Sequence, residues 1–522
     1  MSRAALVAFC GLLLSVSAFS CDITLPAFWS IQRDLGAPIE LVQAIVPVFL
    51  MSQGLGQLIF GPVSDRFGRK PVILGGLALY LVGTVIAMLA PVIEVLHAGR
   101  AAQGFGSACG IAVGRAVLRD TSHGSGLAQA MALAMAIFAL GPMTAPLIGY
   151  GLVAVGSWRA IFIGMGLFAA GLMVWGLVAF RETNARTDPE ALRASRLMAA
   201  LARLVRHPQS RFFLLVAASA QFGIVSFVAN APRLFKSSFG VEGLTFALLF
   251  ASTGLGIVVG QIGNRRLIAR FGVLAATRLA ALVLLFVTVC VVGITLLGAM
   301  SAMLFTVLMF AFNTSFLAVI ANSASLTIDP HPQIAGFASS VFGFFTQMTA
   351  SLLVLATLPL FAGAMLPWSL GMLAVMAGVF AALVCYRGTP CAERHTALGW
   401  GLDVVGRVGQ THVAGSGDRG RLSLAGWLAP GKEIPMNMNT QQIIITVIVG
   451  IVAGWLASVF VGGPSSLIGY LLTGLIGAFV GNFVLGAVGW KPNVGNDLAD
   501  WIITSAIGAI IVVILAKLII FA

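Results

Sequence analysis

The sequence predicts an all-α membrane protein with twelve transmembrane helices in two similar halves, followed by about three further helices. Three observations carry this prediction. First, 59% of the residues are hydrophobic and only 9% are charged, whereas soluble domains carry roughly a quarter charged residues. Second, apolar runs of about 20 residues, enough to cross a hydrocarbon core about 30 Å thick, recur twelve times before Arg387. Third, the two sets of six runs share a sequence motif.

The twelve runs fall into two groups of six. The first six lie near 4–29, 41–61, 71–92, 94–118, 126–153 and 157–180, and the second six near 211–232, 242–264, 274–297, 300–327, 334–361 and 363–386. A polar, arginine-rich segment separates them. We therefore predict an N-terminal half over 1–180, a basic linker over 181–210 and a C-terminal half over 211–387.

The motif that the halves share is a Gly-Gln pair, eight intervening residues and then Arg-Phe-Gly. One copy begins at Gly56 and the other at Gly260, and each lies at the end of the second run of its half. This placement predicts two parallel six-helix repeats related by an axis along the membrane normal.

The net charge of +13 does not indicate nucleic-acid binding, because the basic residues lie in short loops between apolar runs. Loops on one side carry most of them, whereas loops on the other side carry Arg33, Arg159, Arg233 and Lys236. The positive-inside rule then makes the N-terminus cytoplasmic. We predict a multi-pass protein of the bacterial inner membrane, with the lipid bilayer and no nucleic acid among its partners.

The segment 61–70 between the second and third runs combines glycines, a carboxylate and cations in a short space. The residues that define it are Gly61, Asp65, Arg66, Gly68, Arg69 and Lys70. Positive-inside anchoring alone accounts for the cations, but not for the carboxylate or the glycine spacing. We interpret the segment as a loop that latches against neighbouring helix ends.

This loop resembles the signature loop of the major facilitator superfamily, and its surroundings resemble the Bcr/CflA-like drug-resistance branch. The resemblance covers residues 1–386, and the other matching segments are 22–26, 100–104, 115–120 and 158–162. It implies the major facilitator fold and an antiporter of drugs and protons. Such a protein uses the proton gradient and needs no cofactor.

Two charged residues inside apolar runs, Asp22 and Arg100, are the predicted proton-coupling residues. A charge at the bilayer centre costs roughly 2.5 to 3.5 kcal/mol, and a carboxyl in a low-dielectric site, such as Asp22, can exchange a proton near neutral pH. The alternative is an Asp22 carboxylate hydrated at the periplasmic surface. The resemblance links Arg100 to proton transfer, with a structural ion pair as the alternative.

The fifth run resembles the antiporter motif of the superfamily, which favours an exporter. The residues that carry the motif are Gly141, Pro142, Pro146 and Gly149. The prolines are four residues apart, hence on one helix face, and the small residues allow another helix to approach closely.

Five amides inside the runs are candidates for the substrate path: Gln103, Gln221, Asn313, Asn322 and Gln347. Such residues also form hydrogen bonds between helices, and we favour that role for most of them.

The chain changes character after Arg387. Residues 388–439 are polar and aperiodic, and we predict a disordered linker there. Residues 440–522 carry about three apolar runs and resemble the GlsB/YeaQ/YmgE family, labelled transglycosylase-associated, with Gly477 and Gly481 as a helix-packing pair that could support oligomerisation. The module is either a functional fusion or the result of read-through into a neighbouring gene.

The function predicted from these observations is proton-coupled efflux of drugs or related small amphipathic molecules by alternating access. One alternative is a transporter of a single dedicated metabolite. Another is a membrane stress or scaffold protein that acts through the C-terminal module. The sequence has no Ser-His-Asp, metal-ligand or phosphate-loop pattern, so we expect no enzymatic activity and no metal.

Overall fold

The computed structural model describes residues 1–184, 187–361 and 363–387, and these form helices joined by short turns. The helices are α1 (Arg3–Asp22), α2 (Phe28–Leu35), α3 (Ile39–Gln43), α4 (Ile45–Phe67), α5 (Arg69–Met88), α6 (Ile93–Thr121), α7 (Gly124–Val155), α8 (Arg159–Ala179), α9 (Ala194–Arg206), α10 (Pro208–Phe239), α11 (Gly243–Phe271), α12 (Val273–Leu296), α13 (Ala302–Ile328), α14 (Ala335–Phe361) and α15 (Met365–Cys385). The predicted module at 440–522 and the predicted linker at 388–439 lie outside the described residues.

Eleven segments of the described chain are long and apolar enough to cross a membrane. They are α1 with α2, α3 with α4, and the single helices α5, α7, α8 and α10 to α15. The long helix α6 is not among them, because its charged, polar and small residues keep its mean hydropathy low. The predicted all-helical membrane architecture is confirmed, whereas the count of twelve spans remains a prediction.

The first predicted run is interrupted near its end. A 3-10 turn, Leu25–Ala27, separates α1 from α2, with Pro26 in its first positions. Proline has no N–H to donate and fixes its own φ, so it ends α1 here. Asp22 is consequently the last residue of α1.

The predicted loop 61–70 is mostly helical, which corrects the sequence interpretation. Helix α4 continues through Pro62 to Phe67, and only Gly68 separates it from α5. Gly68 has φ +96°, a conformation that residues with a side chain rarely adopt. The turn is therefore one residue long.

The repeated motif has a matching geometry in both halves. Gly272, between α11 and α12, has φ +82° and ψ 167°, close to the φ +96° and ψ 162° of Gly68. A Cβ at Gly56 would overlap the Phe105 carbonyl of α6, and a Cβ at Gly260 would overlap the Thr314 carbonyl of α13. In each half, the second long helix therefore packs closely on the fourth through the same glycine.

The basic linker 181–210 contains a helix that the sequence analysis missed. Helix α9 places Leu204, which is 1% exposed, against Ala338 and Val341 of α14, with Leu58 of α4 beside them. The spacing of Leu197, Leu201 and Leu204 in the sequence is that of an amphipathic helix. The linker thus contacts both halves.

Among the described residues, the most extensive contacts between the halves are those of α4 with α14 and of α7 with α11. The C-terminal half has an aromatic core in which Phe227, Phe235, Phe305 and Trp368 pack with ring centroids 5.4 to 6.4 Å apart.

Candidate substrate cavity

A cavity of about 270 Å³ lies between the halves. Helices α1, α4, α6 and α7 line it from one side, and α10, α11, α13 and α14 from the other. Its wall is mostly apolar, and its aromatic members are Phe138, Phe227, Phe250, Phe316 and Phe342. Asp22 and Arg115 are its charged lining residues. An apolar wall with few polar groups is typical of small-molecule sites.

Asp22 closes the last turn of α1 and forms part of the cavity wall. The residue is only 6% exposed, which disfavours the alternative of a carboxylate hydrated at the membrane surface. Among the described residues, no cation forms an ion pair with it and no donor forms a hydrogen bond with it. The carboxyl is therefore available to a proton or to a molecule in the cavity.

Arg100 lies behind the cavity wall in α6 and is completely buried. Its Nη2 donates to the Ser20 carbonyl at 3.0 Å and its Nη1 to Gln103 Oε1 at 3.0 Å, and the guanidinium lies 4.3 Å from the Phe49 ring centroid. No described carboxylate pairs with it, so the alternative of a structural ion pair is not found. Arg100 instead holds the backbone of α1 two residues before Asp22.

Two of the five amides predicted for the substrate path lie elsewhere. Gln103 is buried and donates to Thr84 Oγ1 at 2.8 Å while it accepts from Arg100. Asn322 exchanges two amide hydrogen bonds with Asn264, at 2.9 and 3.0 Å, which join α13 to α11. Neither lines the cavity. Both instead form hydrogen bonds between neighbouring helices.

The other three amides line the cavity. Gln221 Nε2 donates to Gln347 Oε1 at 3.1 Å, and Gln347 Nε2 lies 3.5 Å from Gln53 Oε1. Asn313 Nδ2 donates to the Thr253 carbonyl at 3.1 Å, and its buried Oδ1 has no described hydrogen-bond partner. A buried acceptor without a partner is expected to accept a hydrogen bond from a ligand or from water.

The row of amides continues into the N-terminal half through a residue that the sequence analysis missed. Gln53 Nε2 donates to Ser107 Oγ at 3.1 Å and also contacts Ser17. Gln57, one turn further along α4, lines the cavity as well. Their spacing of four residues inside an apolar run was the available signal.

The predicted latch residues come together at one end of the bundle, which we call the latch end. Arg69 bridges two carboxylates, with Nη1 2.5 Å from Asp65 Oδ1 and Nε 2.9 Å from Asp120 Oδ2. Lys70 Nζ donates to the Leu177 carbonyl at 3.1 Å. The contacts join the ends of α4, α5, α6 and α8. Gly61 lies against Ser340 of α14, and Arg66 is exposed.

Glu182 completes the latch end and was not predicted. Its carboxylate accepts from the backbone N–H groups of Arg69 at 2.8 Å and Lys70 at 2.9 Å, and also from those of Thr183 and Asn184. Burial alone would raise the pKa of this carboxyl, but the four N–H groups outweigh it and hold the pKa below its ordinary value. Glu182 thereby caps the first turn of α5.

The antiporter-motif residues place α7 between the two halves. Gly149 abuts the Ile23 carbonyl, and a Cβ at Gly141 would lie 3.4 Å from Ala18 of α1. Pro142 lines the cavity and contacts Gly254 of α11. Pro146 is buried one turn further along. The small residues thus allow α7 to approach α1 closely.

The end opposite the latch is closed by contacts between the halves. Arg233 Nη1 lies 2.7 Å from Glu40 Oε1 and 3.3 Å from Gln43 Oε1. Gln43 Nε2 donates to Asn230 Oδ1 at 3.0 Å, and Lys236 Nζ lies 4.3 Å from the Trp29 ring centroid. We call Glu40, Gln43, Asn230 and Arg233 the closure cluster.

Comparison with known proteins bears on this geometry. Residues 10–354 match the family model described as Major Facilitator Superfamily, and residues 471–520 match the family described as Transglycosylase associated protein. Multidrug resistance protein D of Escherichia coli is 28% identical over 400 residues, which cover 74% of this chain and 96% of the relative. These matches confirm the two resemblances noted in the sequence.

A further relative and a solved structure are also similar to the chain. The bicyclomycin resistance protein homolog of Haemophilus influenzae is 26% identical over 348 residues, which cover 64% of this chain and 83% of the relative. The crystal structure of a D-xylose-proton symporter superposes with a TM-score of 0.60 at 15% identity, over 74% of this chain and 97% of the other. The latter likeness shows the fold alone.

Proposed function

Because the chain belongs to the Major Facilitator Superfamily, we propose that it exports drug-like amphipathic molecules across the bacterial inner membrane in exchange for protons. The relatives named for multidrug and bicyclomycin resistance support this assignment. A cavity between two six-helix halves supports transport by alternating access.

The observation that carries the proposal is the single carboxyl among the described residues of the cavity wall, that of Asp22, which forms no ion pair with a described cation. A carboxyl of this kind holds either a proton or a cationic substrate, but not both. Proton uptake therefore releases the substrate, and substrate binding releases the proton. Arg100 acts as a positioning residue, since it holds the α1 backbone at Ser20.

The two ends of the bundle have complementary roles in this proposal. The closure cluster seals the end that the positive-inside rule assigns to the periplasm, while the cavity extends toward the latch end through Gln57 and Arg115. The described conformation accordingly accepts substrate from the cytoplasm. To open the sealed end and close the other, the halves must rock about the contacts of α4 with α14 and of α7 with α11.

The test is proton release from energised everted vesicles upon addition of single drugs from an antibiotic panel. We expect the intact chain to respond to several amphipathic cations. Asp22→Asn should abolish the response, because an amide cannot exchange a proton, while Asp22→Glu should retain part of it.

Glu94→Gln is the matched control, since Glu94 is an exposed acid in the first turn of α6. It should leave the response unchanged. An unaltered response of Asp22→Asn would contradict the assignment of Asp22. A response of the intact chain to one metabolite and to no drug would favour a dedicated-metabolite carrier.

A further inference from the structure

A second, smaller cavity of about 110 Å³ adjoins the latch end of the main one. It shares Gln57, Ile111, Arg115 and Ser339 with the main cavity. Its lining adds Arg119 of α6 and Gly336 and Ser340 from the first turns of α14. We call this space the arginine pocket.

The arginine pocket has an excess of positive charge. Arg115 and Arg119 are four residues apart, so their like charges lie on one helix face and repel. Neither forms an ion pair or a hydrogen bond with a described residue, and no carboxylate is among the described lining residues. Both residues are exposed, and Arg115 lines both cavities.

The position of Arg119 adds to this excess. A Cβ at Gly336 would lie 3.8 Å from Arg119 Nη2, so the guanidinium lies against the first turn of α14. The N-terminus of a helix carries partial positive charge and disfavours a cation. An anion between Arg115, Arg119 and this turn would compensate all three positive groups, and the hydroxyls of Ser339 and Ser340 could donate to it.

The arginine pocket is separate from Asp22. A Cβ at Gly114 would lie 3.7 Å from the Cys10 carbonyl, so Arg115 lies near the level of Cys10 along α1. Twelve residues of helix separate Cys10 from Asp22, which corresponds to about 18 Å at 1.5 Å per residue. One small molecule with adjacent charges cannot reach both groups at once.

We propose that the arginine pocket binds the anionic group of amphipathic anions, a carboxylate, sulfonate or phosphate, whose apolar part lies among the phenylalanines of the main cavity. The inference deepens the proposed function, on which it rests, because it adds anions to the substrate classes. Arg115 and Arg119 are then specificity-determining residues, and Asp22 is not part of this subsite.

The test compares two probes with the same aromatic body and opposite charge, naphthalene-2-sulfonate and (2-naphthylmethyl)trimethylammonium. Binding of each to the purified full chain in phosphatidylcholine nanodiscs is measured by calorimetry. One charge-assisted contact contributes about 1.5 to 3 kcal/mol, so Arg115→Gln and Arg119→Gln should each weaken sulfonate binding by about tenfold or more. Binding of the cation should stay within about twofold of the intact chain.

Two controls keep the result interpretable. Arg206→Gln removes an exposed arginine of α9 outside the pocket and should leave sulfonate binding unchanged. Arg115→Lys keeps the charge and should retain most of the affinity, which a merely misfolded protein would not.

Several outcomes would overturn the inference. One is sulfonate binding that is absent, or insensitive to Arg115→Gln and Arg119→Gln, while the cation still binds and drives proton release; the proposed function then stands alone. Another is loss of sulfonate binding in nanodiscs that contain phosphatidylglycerol, at an ionic strength that screens the charge of the lipid surface, which would assign the pocket to a lipid headgroup. Sulfonate binding without any drug-driven proton release would instead contradict the proposed function.

Discussion

The Glu182 carboxylate contributes stability that depends on pH. Its pKa is held below the ordinary value in the folded chain, so the folded state prefers the ionised form. The contribution is complete above the ordinary glutamate pKa of 4.5 and is lost as the pH falls through the lowered value. We expect Glu182→Gln to have a lower thermal unfolding midpoint than the intact chain at pH 7. The difference between the two midpoints should narrow below pH 4.5.

Intrinsic tryptophan fluorescence during heating in detergent measures this difference. Glu190→Gln, which removes an exposed acid of the same linker, should show little change at any pH. A gap between Glu182→Gln and the intact chain that stays constant down to pH 3 would contradict the capping role.

The amide pair of Asn264 and Asn322 offers a second prediction for single residues. Asn322→Leu leaves the buried Asn264 amide without its described partner, which should cost about 1 to 3 kcal/mol of the free energy of unfolding. Replacement of both by leucine should recover part of this cost, because no polar group then remains unpaired. Unfolding of the single and double variants in a double-mutant cycle measures the coupling.

For the helix pair α11 and α13, two glycines three residues apart give opposite predictions. A Cβ at Gly260 would overlap the Thr314 carbonyl, whereas a Cβ at Gly263 would meet nothing within 4 Å. Gly260→Ala should therefore force the helices apart and destabilise the fold by about 1 to 3 kcal/mol. Gly263→Ala should be neutral or slightly stabilising, since alanine favours helix.

Thermal unfolding and the yield of folded protein from membranes provide the measurements for both variants. Equal behaviour of the two would show that α11 and α13 do not touch at Gly260. It would also remove the structural parallel between Gly56 and Gly260.

The helices could be predicted well where hydrophobicity alone decides them. The predicted run at 274–297 corresponds to α12 at Val273–Leu296, and the run at 126–153 to α7 at Gly124–Val155. The prediction failed where residue types send mixed signals. Gly61 and Pro62 favoured a loop, yet α4 continues through Pro62 to Phe67 and ends only at Gly68, whose N–H donates to the Ser64 carbonyl.

The candidate site could be predicted only in part. Asp22 was found because a charge inside an apolar run is unusual. Gln103 was predicted on the substrate path but does not line the cavity, because a sequence does not show which face of a helix meets a cavity. The pair of Glu40 and Arg233 lies 193 residues apart, and only the folded chain brings these residues together.

In the whole molecule, the ion pair of Glu40 and Arg233 links the two halves at the end opposite the latch. Its side chains are 35% and 16% exposed, and an ion pair near the surface contributes about 1 kcal/mol, which corresponds to a shift of about fivefold in a two-state equilibrium. Glu40→Gln should therefore increase, by up to about fivefold, the population that opens at this end.

Cys21 lines the cavity beside Asp22 and can report this shift. Cys290, Cys385 and Cys391 would first be replaced by serine. An impermeant thiol reagent applied from the periplasmic side should then label Cys21 faster in Glu40→Gln than in the parent chain. Glu94→Gln is the control, because Glu94 is an exposed acid of α6 that forms no ion pair with a described residue. Equal labelling rates for Glu40→Gln and the parent chain would show that the closure cluster does not hold this end shut.

The depth of Asp22 has an electrical consequence. Water in the cavity would bring the potential of the latch side up to this carboxyl, so that the membrane voltage falls mainly across the closed opposite end. In the proposed alternating-access cycle, an ionised Asp22 crosses that voltage when the closed end changes sides, whereas a protonated Asp22 carries no charge. The first crossing changes by about 2.3 kcal/mol per 100 mV and the second does not. An Asp22 carboxylate paired with a monovalent cationic substrate also carries no net charge, so the voltage acts on neither loaded crossing of the exchange and acts instead on the leak of the empty, unprotonated carrier.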